Sequence, residues 1–99
     1  DLILKKNERF YLEEQLGLCF KFLFTNGIYN FDMNLKNIIF NYELNKISFI
    51  DFDKVMINTA KRNSKLYSSR VISKFRDSLI KHDLLESFDW KKFLASIED

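Results

Sequence analysis

Three features of the 99-residue chain predict an α+β fold that is mostly helical. Three segments carry apolar residues at helical spacing. Between the first and second lie two short apolar runs joined by a turn-forming stretch. Two Gly and no Pro leave no linker-like stretch, so the length suits one small domain.

The elements follow in order. Asn7 can cap a helix, and Leu12, Leu16, Cys19, Phe20 and Leu23 then recur at helical spacing. Asn26-Gly27 reads as its stop, with Gly27 free to take the left-handed cap conformation. The predicted helix spans about 8–25 and is apolar around much of its surface, which predicts burial. Residues 28–31 form a short extended piece and 37–40 a short strand. The stretch "NYELNK" is a hairpin turn, and 47–50 is the return strand, ending at Asp51. Residues 54–65 read as an irregular basic loop. A second helix starts near Ser68, with Val71, Ile72, Phe75, Leu79 and Ile80 as its apolar stripe. Ser87 or Asp89 caps a third, with Trp90, Phe93, Leu94 and Ile97 on one face.

Bulk properties exclude several classes. The chain is 46% hydrophobic and 30% charged, with eleven Phe, a globular composition rather than a disordered one. So few glycines nearly exclude a glycine-rich phosphate loop. The lone Cys19 allows no internal disulfide and fits a reducing compartment; it reads as a core residue, with no nearby His to make it a nucleophile. The run "LGLCFKFLF" is too short to span a bilayer and contains Lys21. His82, the single His, reads as a surface residue near a helix end, and no zinc-ligand cluster is visible. Trp90 packs the last helix or, if exposed beside Lys91 and Lys92, meets lipid headgroups.

Net charge is +2, but residues 54–81 hold eight basic side chains and one acid, Asp77. Such a segment is either a solvated helix face or a contact for an anionic partner. Its aromatics sit on core stripes rather than among the basic residues, so nucleic acid is not expected as a partner.

The polar residues at the ends of the two apolar runs carry the chemistry. "NFDMNLKNIIF" places Asp32 five residues before Asn37, and "ISFIDFDK" ends in Asp51-Phe52-Asp53. A hairpin whose strands flank Asn37 and Asp51 brings these two side chains together. Both offer hard oxygen ligands suited to Mg²⁺. Asp32, on the loop leading into the first strand, could accept a proton from an attacking hydroxyl. Phe52 reads as a core residue orienting Asp51. Asp53 supports the metal loop or caps the turn; the two readings stand level.

"NFDMNLKNII" followed by "FIDFD" resembles the catalytic and metal loops of the protein-kinase-like fold, and within it the lipopolysaccharide kinases, especially the 3-deoxy-D-manno-octulosonic acid (Kdo) kinase family. That family reads H-x-D-L-N-x-x-N-I-L, then I-D-F-D-R. The resemblance places Asp32 on the catalytic Asp, Asn34 on the Asn of D-L-N, and Asn37 and Asp51 on the metal ligands. Asp53 falls on the second Asp of D-F-D, and Lys54 stands where the family has Arg. The match covers about residues 28–54. "RDSLIK" and "FDWKKFL" extend it more loosely to about 97. Two positions depart from it: Asn30 replaces the family's supporting His, and Phe31 stands where many protein kinases carry Arg. No glycine-rich loop and no strand Lys with a partner Glu is found. The chain thus reads as residues 1–99 of a C-terminal lobe, with the ATP-covering lobe absent.

The resemblance implies a Mg²⁺- and ATP-dependent kinase that phosphorylates a Kdo residue on a lipid A precursor. It would work in the cytoplasm or peripherally on the cytoplasmic face of the inner membrane. The 99-residue chain alone is expected to be inactive. It also gives weight to Lys61, Arg62, Lys65, Arg70, Lys74 and Arg76 as contacts for an anionic lipid surface. Two other readings stay open: another small-molecule phosphotransferase of the same fold, or a non-catalytic remnant acting as a basic binding module.

Overall fold

In the computed structural model, which describes residues 6–41, 43–44, 46–50 and 54–98, the first helical pattern becomes α1, Lys6–Thr25. Asn7 lies inside this helix rather than capping it. Leu12, Leu16 and Phe20 fall on one face and are buried, as their spacing of four requires. The helix is not buried all round, however: Leu18 and Phe22 face solvent. Composition alone suggested fuller burial, but only one side of α1 is covered by partners.

Gly27 ends this element with φ +71°. It is required twice over. The conformation is left-handed, and an added Cβ would lie 2.2 Å from the Asn58 carbonyl oxygen. The two backbones meet there because Asn58 N–H donates to Gly27 C=O at 2.7 Å. That bond continues a small antiparallel sheet of β1, Ile28–Asn30, and β4, Val55–Ile57. Strand β4 corrects the expectation of an irregular loop over 54–65. Three residues paired across a long separation leave little local signature. Between the two strands lies the second sheet, β2, Ile38–Asn41, antiparallel to β3, Lys46–Phe49, with Ile38 opposite Phe49 and Asn41 opposite Lys46. A 3₁₀ turn, Leu35–Asn37, leads into β2, so Asn37 sits in the turn rather than in the strand.

Two further helices complete the α+β fold, about half of which is helical. Helix α2 runs Ser64–Lys81 and starts earlier than expected, after Asn63 in the left-handed region at φ 63°. Val71, Phe75 and Leu79 of its stripe are buried; Ile80 is half exposed, and Ser78 is buried instead. Helix α3, Trp90–Glu98, is capped by Asp89, whose Oδ1 accepts the Lys92 amide at 3.0 Å. Ser87 instead donates to the Leu84 carbonyl. The buried Glu13 carboxylate of α1 accepts the Asp89 N–H, locking this helix start onto α1.

The core is aromatic. Phe20, Phe75 and Phe93, one from each helix and all 0% exposed, form a triangle with ring centroids 5.0–5.3 Å apart. Edge-to-face and tilted geometries of this kind add to the burial energy of each ring. Trp90 packs rather than projecting, 5.1 Å from Phe93 and stacked on Phe75. Gly17 allows α1 and α3 to approach: a Cβ there would lie 2.6 Å from both Phe93 O and Ser96 Cβ.

Candidate functional site

The segment after β1 is held by side chain–main chain bonds centred on Asp32. Asn30 is buried in β1, and its Oδ1 accepts the Asp32 amide at 3.0 Å. The Asp32 carbonyl accepts two amide donors, Asn34 Nδ2 at 3.0 Å and Asn37 Nδ2 at 3.2 Å. Asn34 also caps the 3₁₀ turn, its Oδ1 accepting the Lys36 N–H at 3.1 Å. Short asparagine side chains suit this work because they bond backbone groups two to five residues away. The main chain of Asp32 is thereby fixed in both directions. Its carboxylate makes no hydrogen bond or ion pair among the described residues, and it borders an open cleft of about 390 Å³.

Asn37 is buried, with Nδ2 committed to Asp32. Its Oδ1 takes part in no hydrogen bond among the described residues. Ile50 N–H donates to the Asn37 carbonyl at 2.8 Å, extending the β2–β3 ladder by one pair. The return strand therefore passes Asn37 one residue before Asp51. Asp51, Phe52 and Asp53 themselves lie outside the described residues. Hard oxygens from Asn and Asp form a donor set that fits Mg²⁺. Among the described residues no group of three or more His, Cys, Asp or Glu converges as a metal site.

The loop is fastened to the helices at one further point. Leu35 N–H donates to Ser78 Oγ at 3.1 Å, and Ser78 Oγ–H donates to the Phe75 carbonyl at 2.7 Å. A buried serine within an apolar stripe thus ties the core to the loop. Asn30 carries a second polar peculiarity. Its Nδ2 is buried without a hydrogen-bond partner among the described residues, at the position where the resemblance expects His.

The six basic residues expected to contact an anionic surface stand on α2 and in the turn before it. Lys74 borders the cleft with Asp32. Arg76 lies about 200° further round the helix and approaches the Trp90 ring at 6.0 Å. The Arg70 guanidinium sits 4.4 Å over Phe31, a cation–π contact. Lys61 and Arg62 lie in the turn before α2, where the Arg62 carbonyl accepts from Asn58 Nδ2. Lys65 is in the first turn of α2, its carbonyl accepting from Ser68 Oγ. The cleft also takes in residues assigned to no site from the sequence: Lys36 from the 3₁₀ turn, and Asp77, Ser78, Lys81 and His82 from the end of α2. The signal was available. Lys74, Asp77, Ser78 and Lys81 stand at i, i+3, i+4 and i+7, one helix face.

Cys19 is half-buried rather than in the core, and burial pushes its thiol pKa up, which disfavours a nucleophilic thiolate. No helix among the described residues is long and apolar enough to cross a membrane. No family model matches the chain, and no curated protein or solved structure matches it.

Proposed function

We propose that this chain is the C-terminal lobe of a kinase-like phosphotransferase that uses Mg²⁺ and ATP. The observation that carries the reading is the Asp32–Asn37 arrangement. One side chain holds the other's backbone, while the Asp32 carboxylate and Asn37 Oδ1 accept no hydrogen bond among the described residues.

In this reading Asp32 orients an acceptor hydroxyl and takes its proton. Asn37 would hold Mg²⁺ through Oδ1, together with Asp51. Asn30 and Asn34 fix the Asp32 backbone, so the carboxylate is positioned before the substrate arrives. When bound, the metal–nucleotide complex supplies the phosphoryl group and neutralises charge on its oxygens. The sequence resemblance gives the acceptor as a Kdo residue on a lipid A precursor, reached at the cytoplasmic face of the inner membrane. The ATP-covering lobe belongs to the rest of such a protein.

Metal binding and chemistry are tested separately. Mn²⁺ titrated into the chain should broaden the NMR signals of Asn37, Ile38 and Ile50 first, and Asp51→Ala should abolish the effect. In a protein that also supplies the nucleotide lobe, Asp32→Asn should lower phosphate transfer to Kdo–lipid A acceptors by about 10²–10⁴-fold. Absence of Mn²⁺ broadening near Asn37 would instead favour a non-catalytic binding module. Transfer to aminoglycosides or choline, with none to Kdo acceptors, would move the chain to another branch of phosphotransferases.

A further inference from the structure

We propose that the cleft between the 3₁₀ turn and α2 is an anion subsite for the acceptor. Lys36, Lys74 and Lys81 hold one phosphate or carboxylate of an anionic polyol whose hydroxyl lies at Asp32. This rests on the preceding reading for the role of Asp32, but not for the existence of the binding site.

The cleft is assembled by the fold, not by a loose surface. Ser78 is buried and bonded to Leu35 N–H, which fixes the face of α2 that meets the 3₁₀ turn. Lys74 lies one turn before Ser78 on that face, and Lys81 nearly one turn after it. Lys36 comes from the opposite wall. Three lysines thus line one concavity of about 390 Å³, within the size range of small-ligand clefts.

Three other cations among the described residues do have a partner. Lys92 is paired with Glu14 at 3.3 Å, Arg70 covers Phe31, and Arg76 approaches Trp90. Among the described residues Lys36, Lys74 and Lys81 join no ion pair, although Asp77 shares their face. Like charges gathered around a concavity focus a positive potential there. An anion that enters relieves their mutual repulsion.

The carboxylates limit what fits. Asp32 and Asp77 set two negative charges against the three lysines. The surplus suits a single anionic group and disfavours a polyanion such as nucleic acid. Asp32 also repels an anion at its own end of the cleft. The anionic substituent therefore settles toward Lys74 and Lys81, and an uncharged hydroxyl toward Asp32. His82, the C-cap of α2, borders the same wall and can donate to the bound group.

The test is a binding titration of the chain itself, without ATP or metal. Glucose 6-phosphate should shift the NMR signals of Lys36, Ser78, Lys81 and His82, and glucose should not. The double variant Lys74→Gln/Lys81→Gln should weaken binding by about tenfold or more. Lys46→Gln/Lys91→Gln should change it less than about twofold. All four side chains are exposed, and unchanged melting temperatures confirm that the variants fold. Phosphatidylglycerol vesicles form a second arm. Vesicle binding lost in Lys74→Gln/Lys81→Gln, with no glucose 6-phosphate binding, identifies a lipid headgroup as the source of the anion. Shifts confined to other residues, or equal losses in both double variants, overturn the proposal. Retained Mn²⁺ binding at Asn37 with no anion binding strikes this proposal alone. Retained anion binding without phosphate transfer strikes the earlier reading alone.

Discussion

The helical core and the loop around Asp32 are held together by opposite means. In the core, Phe20, Phe75 and Phe93 meet without a polar atom among them, and stability comes from buried area and ring packing. Around Asp32, Asn30, Asn34 and Asn37 add directed bonds to the backbone beside the buried Met33. The difference shows how a small chain separates two tasks. Non-directional burial sets how firmly the molecule folds, whereas directional bonds set where a carboxylate and an amide oxygen stand. Ser78 joins the two regions through Leu35 and Phe75.

The contrast can be broken most severely at its apolar pole. Phe20→Ala removes the ring shared by all three helices and should cost about 3–5 kcal/mol. Urea denaturation measures this as a lower midpoint. In so small a domain, the loss is expected to leave much of the population unfolded at 37 °C. Gly17→Ala attacks the same region by overpacking. Its new methyl meets backbone and Cβ atoms of α3 at 2.6 Å, so the helices must separate, at about 1–3 kcal/mol. A compensating Ser96→Gly should recover part of this loss, since one of the two clashes is with Ser96 Cβ.

Ser78→Ala sharpens the comparison with the smallest effect. It leaves the part-buried Leu35 amide without its acceptor, at about 1–2 kcal/mol. Hydrogen exchange should rise at Leu35–Ile38 far more than at Phe75 or Phe93. Equal increases everywhere would mean that the loop has no local stability of its own, and the two-region description would fail.

The helical pole was legible in the sequence because its signals are local. Spacings of three and four place Leu16, Phe20, Phe75, Leu79 and Phe93 inward, and Asn26-Gly27 marks a stop that the left-handed Gly27 fulfils. The β2–β3 hairpin was legible for the same reason, with its strands displaced by about one residue. Strand β4 was not, because Val55–Ile57 pairs with residues far away in sequence. The exposure of Phe22 was hidden too, since nothing local says which side of an apolar helix lacks a partner. At the candidate site, Asp32 and Asn37 stood out by spacing, and the structure joins them by a hydrogen bond. The cleft around Asp32 did not stand out. Its second wall comes from α2, more than forty residues later, and a count of basic residues cannot tell Lys74 from Arg76 on opposite sides of one helix.

The pairing of Asn30 with Val55 has a consequence for the history of such a chain. The stretch between them starts and ends at neighbouring points of one sheet. Its tip lies between Asn41 and Lys46, the last pair of β2 and β3. Lengthening a closed loop is cheap, about 0.6 kcal/mol for each doubling. Insertions at that tip lengthen a hairpin that lies outside the three helices, so they can accumulate while the helical core stays the same.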